Sequence, residues 1–174
     1  DPSLILNVSR ENTGSGSSVY ATYVTQASPD EKKGNVQELR VGYGRTDKGQ
    51  DIFMHFHVIP RLPEGASVVE ATLGMQMTAF NRAGYTAFLA GVYAVTETRP
   101  LVYPTYYDWI SNMTWNARTD YDHYNMIDYV TVQSGQSMYE WDITELVRKW
   151  YHEGTDNRTI RIGGLNMNDS TCNS

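Results

Sequence analysis

Residues 138–154 read Met-Tyr-Glu-Trp-Asp-Ile-Thr-Glu-Leu-Val-Arg-Lys-Trp-Tyr-His-Glu-Gly, and they decide the fold because they hold the best-marked helix of the sequence. Asp142 can accept N–H groups at a helix start, and Glu145 can reach back, which predicts a capping box and a helix beginning at about Asp142. Gly154 is placed to end this helix. One face carries an apolar stripe that must be buried, consisting of Ile143, Leu146, Val147 and Trp150.

A helix of about three turns is not stable alone, so it must lie over a sheet or across the open end of a barrel. The remaining sequence predicts that sheet, because short runs of β-branched and aromatic residues alternate with turn signals. Roughly nine or ten such runs favour an all-β protein, an antiparallel β-sandwich of the jelly-roll type with one short covering α-helix.

Two strand predictions concern position in the sheet. Residues 68–77 alternate at period two and should form a central strand, while residues 86–95 are apolar throughout and should have both faces covered. Residues 97–128 lose the alternation and should be loops dense in Tyr and Trp. The other predicted strands are residues 3–8, 19–25, 38–43, 52–58, 129–132, 138–141 and 159–162.

The bulk composition limits the classes of partner. The 174 residues fit one domain, 1–174, and the net charge of −6 disfavours binding to nucleic acid or to an anionic membrane. The hydrophobic runs are short and interrupted, so membrane insertion is not expected. Cys172 is the single cysteine, which excludes a disulfide within the chain and the Cys/His clusters of zinc domains.

Short motifs follow one another in a definite order along the chain. They are Tyr23-Val24, Ser28-Pro29-Asp30, Gly34-Asn35, Leu39-Arg40-Val41-Gly42, Phe56 before Ile59-Pro60, Gly65-Ala66-Ser67-Val68, Ala71-Thr72-Leu73, Thr114-Trp115-Asn116, and Trp141-Asp142-Ile143-Thr144 followed by Leu146-Val147 and Trp150. This ordered set resembles the DNRLRE domain over about residues 19–165. The resemblance implies a jelly-roll domain, similar to carbohydrate-binding modules, from a large secreted or wall-associated bacterial or archaeal protein.

The sequence departs from this family at its end. Family members close with a further strand, approximately Arg-Pro-x-Leu-x-Val-x-Tyr, and this sequence stops in the preceding loop. Three explanations stay open: the strand is truncated, another chain supplies it, or residues 3–8 fill the gap. A missing strand would leave an open sheet edge, which favours a dimer or strand exchange.

Aromatic residues crowd the segment between residues 103 and 124. Exposed Tyr and Trp rings are the usual platform for the flat C–H face of a sugar. The alternative is that several of these rings are core anchors. Exposure of three or more on one surface would favour sugar binding, and burial of all would favour a structural role. The candidate platform is Tyr106, Tyr107, Trp109, Tyr121 and Tyr124.

Metal binding and catalysis have weaker signals. His55 and His57 project from one face of a strand and could share a metal, but no third ligand lies near them in sequence, so we predict no metal site there. Acidic loops could hold structural calcium through Asp108, Asp120, Asp122 and Asp128, or through Asp30 and Glu31, although their spacing fits no known calcium loop. No catalytic motif is present, which predicts that the protein is not an enzyme and needs no cofactor.

Two functions follow from the resemblance and the aromatic segment. The first is a non-catalytic module that binds a polysaccharide or cell-wall glycan and attaches a larger secreted protein to the wall or its surroundings. The alternative is a structural or adhesive spacer that docks neighbouring domains of the parent protein and has no sugar site.

Overall fold

The computed structural model describes residues 18–34, 36, 38–44, 48–80 and 87–164. Six strands form one antiparallel sheet, the main sheet. They are β1 (Val19–Thr25), β2 (Gly42–Gly44), β3 (Lys48–Phe56), β5 (Ala87–Val95), β6 (Tyr121–Gln133) and β8 (Thr159–Gly164). Their order in the sheet is β1–β3–β8–β5–β6, with β2 paired to β3. A small sheet pairs β4 (Thr72–Gln76) with β7 (Met138–Asp142).

The small sheet and helix α2 (Thr144–Glu153) pack on the inner face of the main sheet. Strand alternation directs Ile52, Met54 and Phe56 of β3 into this layer, where they belong to the same buried cluster as Trp141. The indole N–H of Trp141 donates to the carbonyl of Ala90 at 3.0 Å, so the sheets are joined by a hydrogen bond as well as by apolar contact. The antiparallel β-sandwich predicted from the sequence is confirmed.

Helix α2 covers the sandwich as predicted, but its start differs from the prediction. It begins at Thr144, and Asp142 precedes it, accepting the Thr144 N–H at 2.9 Å. Glu145 pairs with Arg148 and does not reach back, so the predicted capping box does not form. Ile143, Leu146 and Trp150 are buried and Val147 is half-buried, and Gly154 ends the helix in the left-handed conformation.

A second helix, α1 (Tyr106–Asn112), covers the outer face of the main sheet. The prediction of loops throughout residues 97–128 was wrong, since α1 and the first half of β6 lie there. The Thr105 hydroxyl accepts the Asp108 N–H at 3.1 Å and caps the helix. Covering both faces explains why all seven residues of β1 are buried.

Two further strand predictions have different outcomes. β5 has residues of both faces in buried positions, in agreement with the prediction. β4 is not a central strand, because β7 is its only partner within the described part of the chain. The predicted strand at residues 3–8 and the last residues of the chain, after which the missing strand should follow, lie outside the described residues, so pairing through an open edge stays a prediction. In the described ranges, no helix is long and apolar enough to cross a membrane.

Candidate functional site

The five predicted platform residues fall into two groups. Tyr106, Tyr107 and Trp109 lie on α1, and with Tyr121 they belong to the apolar cluster on the outer face of the main sheet. The Trp109 side chain is only 4% exposed, and the other three rings are half-buried. Tyr124 is 97% exposed. Three exposed rings on one surface would have favoured sugar binding, and burial of all five would have favoured a structural role. Neither condition is met, because only Tyr124 of the five is exposed and only Trp109 is fully buried.

Tyr106 seals a buried histidine. Its ring stacks on His55 with centroids 3.8 Å apart and planes within 3°, and its hydroxyl donates to Asp156 at 3.2 Å. Burial, followed by the charges of Arg158 and His57, lowers the pKa of His55 to about 3, so this ring is neutral at physiological pH. One face of Tyr106 is therefore occupied by a protein contact.

His55 is held as part of the fold. Its Nδ1 lies 2.9 Å from the Thr159 hydroxyl on β8, whereas its Nε2 is buried without a hydrogen-bond partner among the described residues. His57 is on the surface. The structure thus places the two histidines in different environments, and within the described ranges no three His, Cys, Asp or Glu side chains are grouped to hold a metal ion.

A buried ion pair lies further across the same face of the main sheet. Arg161 of β8 donates to both carboxylate oxygens of Asp51 of β3 at 2.8 and 3.0 Å, and both side chains are inaccessible. The guanidinium carbon also lies 4.2 Å from the Tyr121 ring centroid and 5.2 Å from that of Tyr93. Bidentate pairing and cation–π contact together satisfy a charge that would be costly to bury alone.

Tyr121 lies between the buried Arg161 and the exposed His123. His123 packs against its ring, with centroids 3.9 Å apart, and the His123 Nε2 lies 2.8 Å from the Asp120 carboxylate. The hydrogen bond from His123, with another from the Tyr121 N–H, lowers the pKa of Asp120. Asp120 is therefore ionised at neutral pH, next to an imidazole whose side chain is 55% exposed.

Tyr124 projects from a bulge in β6. The pairing register passes from Val95↔Tyr121 to Tyr93↔Met126, so residues 122–125 of β6 lie opposite the single residue 94 of β5. The Asp122 carboxylate fixes the bulge by accepting the N–H groups of Tyr124 and Asn125, both at 3.2 Å, and the Asn125 amide at 2.8 Å. An exposed phenol ring thus stands on an anchored backbone.

The acidic residues considered as calcium ligands accept hydrogen bonds from other groups of the protein. Asp108 accepts the Thr105 hydroxyl at 2.6 Å, Asp30 accepts the Asn116 amide at 2.9 Å, and Asp128 accepts the Asp142 N–H at 2.7 Å. The first contact stabilises the start of α1, the second joins two loops and the third joins β6 to β7.

The sequence did not single out His123 or Asn125, which lie in the same segment of β6 as Tyr124. The only local signal was the i, i+2 spacing of Tyr121 and His123, which places two rings on one side of a strand. The bulged part of β6 has three more residues than the part of β5 that lies opposite it. This difference arises from strand pairing, and no local pattern in the sequence predicts it.

An antiparallel β-sandwich with an exposed aromatic ring beside carboxylate and amide groups is typical of sugar-binding modules. The model of carbohydrate-binding module family 96 matches residues 15–174, and the chain belongs to this family. The resemblance to carbohydrate-binding modules is thereby confirmed, while the narrower identification as a DNRLRE domain stays a prediction. No curated protein matches the chain. Modules of this kind are non-catalytic and often occur in secreted or surface proteins.

Proposed function

We propose that this chain is the non-catalytic module through which a larger secreted or wall-associated protein attaches to a polysaccharide, and that Tyr124 is its main sugar-stacking residue. Membership of carbohydrate-binding module family 96 supports the class of ligand. The observation that carries the assignment to Tyr124 is its 97% exposure on an anchored bulge.

An exposed tyrosine on a fixed backbone suits a sugar for two reasons. Its ring offers a flat apolar face to the C–H face of a pyranose, and a phenol has few rotatable bonds to immobilise on binding. The Asp122 carboxylate already holds the backbone of Tyr124 and Asn125, so the loop loses little freedom when a ligand binds. Asn125 and Asp120 lie in the same short segment and can hydrogen-bond sugar hydroxyls.

The other four candidate residues have a proposed indirect role, in which they do not contact the sugar. Trp109 anchors α1 in the core, and Tyr106 uses one ring face on His55. Tyr107 packs edge-on against Tyr20, with centroids 5.5 Å apart. Tyr121 supports His123. Their proposed contribution is to hold the outer face rigid, in contrast to the direct contact proposed for Tyr124.

One observation favours the alternative function of a structural or docking domain. The burial of Trp109, together with the protein contacts of Tyr106, Tyr107 and Tyr121, gives these aromatics a packing role that needs no sugar. A domain of this kind would bind neighbouring parts of its parent protein and would be retained by no polysaccharide.

Affinity electrophoresis in gels that contain single polysaccharides separates the two functions. The panel covers neutral, amino-sugar, acidic and cell-wall glycans. We expect at least one to retard the wild type, Tyr124→Ala to lose this retardation, and Tyr124→Phe to keep it because the ring remains. Tyr129→Ala is the matched control, since Tyr129 is another exposed tyrosine of β6.

The outcomes are distinct. No retardation by any glycan would refute sugar binding and leave the structural function. Retardation that Tyr124→Ala does not reduce would place the site elsewhere on the molecule. Equal thermal stability of the Tyr124 variants and the wild type is the check that lost binding is not lost folding.

A further inference from the structure

β6 is the last strand of the main sheet in the described part of the chain, so one of its edges, the outer edge, faces away from β5. Such an edge carries N–H and C=O groups that can pair with a strand of another molecule. We infer that four side chains close the outer edge of β6 to strand partners, namely Asp120, Asp122, Asp128 and Tyr139. The inference is independent of sugar binding, since it concerns the backbone of β6.

The hydrogen bonds of β6 show which of its backbone groups face outward. Successive residues of a strand direct their N–H and C=O groups alternately to one side and to the other. The N–H groups of Tyr129 and Gln133 are bonded to side chains, so both residues belong to the outward set. In this half of β6 the outward N–H groups are therefore those of residues 129, 131 and 133, and two of the three have a side-chain acceptor.

Tyr139 of β7 takes the place of a strand partner at the end of β6. Its hydroxyl accepts the Gln133 N–H at 3.0 Å and donates to the Gln133 carbonyl oxygen at 2.9 Å. The Tyr139 side chain is buried, so packing holds the hydroxyl at this position. Both backbone groups of Gln133 are thus unavailable to another strand.

Asp128 closes the middle of the outer edge. Its Oδ1 accepts the Tyr129 N–H at 2.8 Å, and its Oδ2 accepts the Asp142 N–H at 2.7 Å. Asp142 belongs to β7, so one carboxylate binds a backbone N–H of each strand where the two strands enter different sheets. A foreign strand that entered between β6 and β7 would have to displace this carboxylate.

Two aspartates close the first half of β6, which contains the bulge. Asp120 Oδ1 accepts the Tyr121 N–H at 2.9 Å. Asp122 Oδ1 accepts the N–H groups of Tyr124 and Asn125, both at 3.2 Å. An ionised carboxylate has acceptors and no donor, so an approaching strand meets negative charge at places where its own carbonyl groups would need N–H donors.

Closure of β6 limits the ways in which this protein can associate. The sequence predicted a dimer or strand exchange through an open sheet edge. Such pairing has to use an edge other than the outer edge of β6, because a partner strand finds few free N–H groups there.

Amide hydrogen exchange in the folded protein tests the Asp128 contacts directly. Asp128→Ala should speed the exchange of the Tyr129 and Asp142 amides roughly tenfold or more, as the loss of a hydrogen bond to a charged group predicts. Asp128→Asn should keep only one of the two amides protected, because only one of its side-chain atoms accepts. Glu140→Ala is the matched control, since it removes an exposed carboxylate of β7 and should change neither amide. Wild-type exchange of both amides in Asp128→Ala would overturn the inference.

Sedimentation velocity tests whether these contacts keep β6 unpaired. Asp120, Asp122 and Asp128 are replaced together, by Ala in one variant and by Asn in another, so that both variants lose the same negative charge. We expect the Ala variant to sediment as larger species than the wild type, and the Asn variant to sediment like the wild type because its amide oxygens still accept N–H groups.

Two results would refute this role of the aspartates. Wild-type sedimentation of the Ala variant would mean that the outer edge of β6 needs no closure. Equal association of the Ala and Asn variants would mean that charge repulsion, and not hydrogen bonding, keeps other strands away. If circular dichroism shows that the Ala variant does not fold, the exchange rates in the single variant Asp128→Ala decide.

Discussion

Replacing His55 with Phe should change how the stability of this protein depends on pH. Phe keeps a ring under Tyr106, which stacks on His55 at 3.8 Å, and it removes the only titrating group at that position. It also removes the contact between His55 Nδ1 and the Thr159 hydroxyl, which costs the variant a constant amount at every pH.

The size of the effect follows from the pKa of His55. Burial and the charges of Arg158 and His57 lower this pKa from 6.5 to about 3 in the folded protein. Below pH 6.5 the unfolded chain therefore binds a proton at this position that the folded protein does not bind, and stability falls as the pH falls toward 3. Each pKa unit corresponds to about 1.4 kcal/mol, so this histidine should remove roughly 3 kcal/mol of unfolding free energy between pH 6.5 and pH 4.

Urea unfolding measured at several values of pH between 7 and 4 checks this number. The unfolding free energy of the wild type minus that of His55→Phe should decrease by roughly 3 kcal/mol over this range. Carboxylates that titrate in the same range cancel in this difference. His152→Gln is the matched control, because it replaces an exposed histidine of α2 and leaves His55 in place under Tyr106.

Parallel pH profiles of the wild type and His55→Phe would refute the reasoning. They would mean that His55 binds its proton with the same pKa in the folded protein as in the unfolded chain, and hence that solvent or a carboxylate reaches the space under Tyr106. A His55→Phe protein more stable than the wild type at pH 4, yet less stable at pH 7, is the pattern we expect if its constant cost is below 3 kcal/mol.

Two further pairs of substitutions test the packing. Trp150→Ala should lower the unfolding free energy by roughly 3 to 5 kcal/mol, because a buried indole leaves a large cavity, whereas Asp142→Ala should cost far less. Urea melts would measure both, and a Trp150→Ala protein that is stable but binds no glycan would make α2 a binding surface. Gly163→Ala should displace Arg161 and lower the melting temperature, whereas Gly74→Ala should leave it unchanged, since a Cβ at Gly74 would make only an ordinary contact. Equal melting temperatures for the two glycine variants would contradict the packing of Arg161.

The sequence by itself determined the elements that depend on local periodicity. The apolar stripe of α2 recurs at helical spacing, so its burial and its end at Gly154 followed directly. β1 has the predicted bounds, Val19–Thr25, and the continuous apolar run of β5 correctly indicated two covered faces. The ordered motifs also identified the type of module, because a set of motifs in fixed order is far more specific than any one of them.

Prediction from local sequence patterns failed where a helix is short. Helix α1 spans two turns, and within it Tyr and Trp are crowded, which resembles a loop of exposed aromatics. Its cap is the single residue Thr105, and the helix is too short to show an apolar stripe at helical spacing. Because α1 was not predicted, Trp109 was interpreted as part of a surface platform. In the structure, α1 buries Trp109 against the outer face of the main sheet.

Only the tertiary structure decided which rings are exposed and which are supported. The extra residues of the Tyr124 bulge are defined by the register between β5 and β6, and the Tyr121 ring of β6 lies against Arg161 of β8, which pairs with Asp51 of β3. Asp51 and Arg161 are 110 positions apart in the chain. Contacts of this kind depend on strand pairing between distant segments, and no spacing within one segment of sequence records which strands will pair.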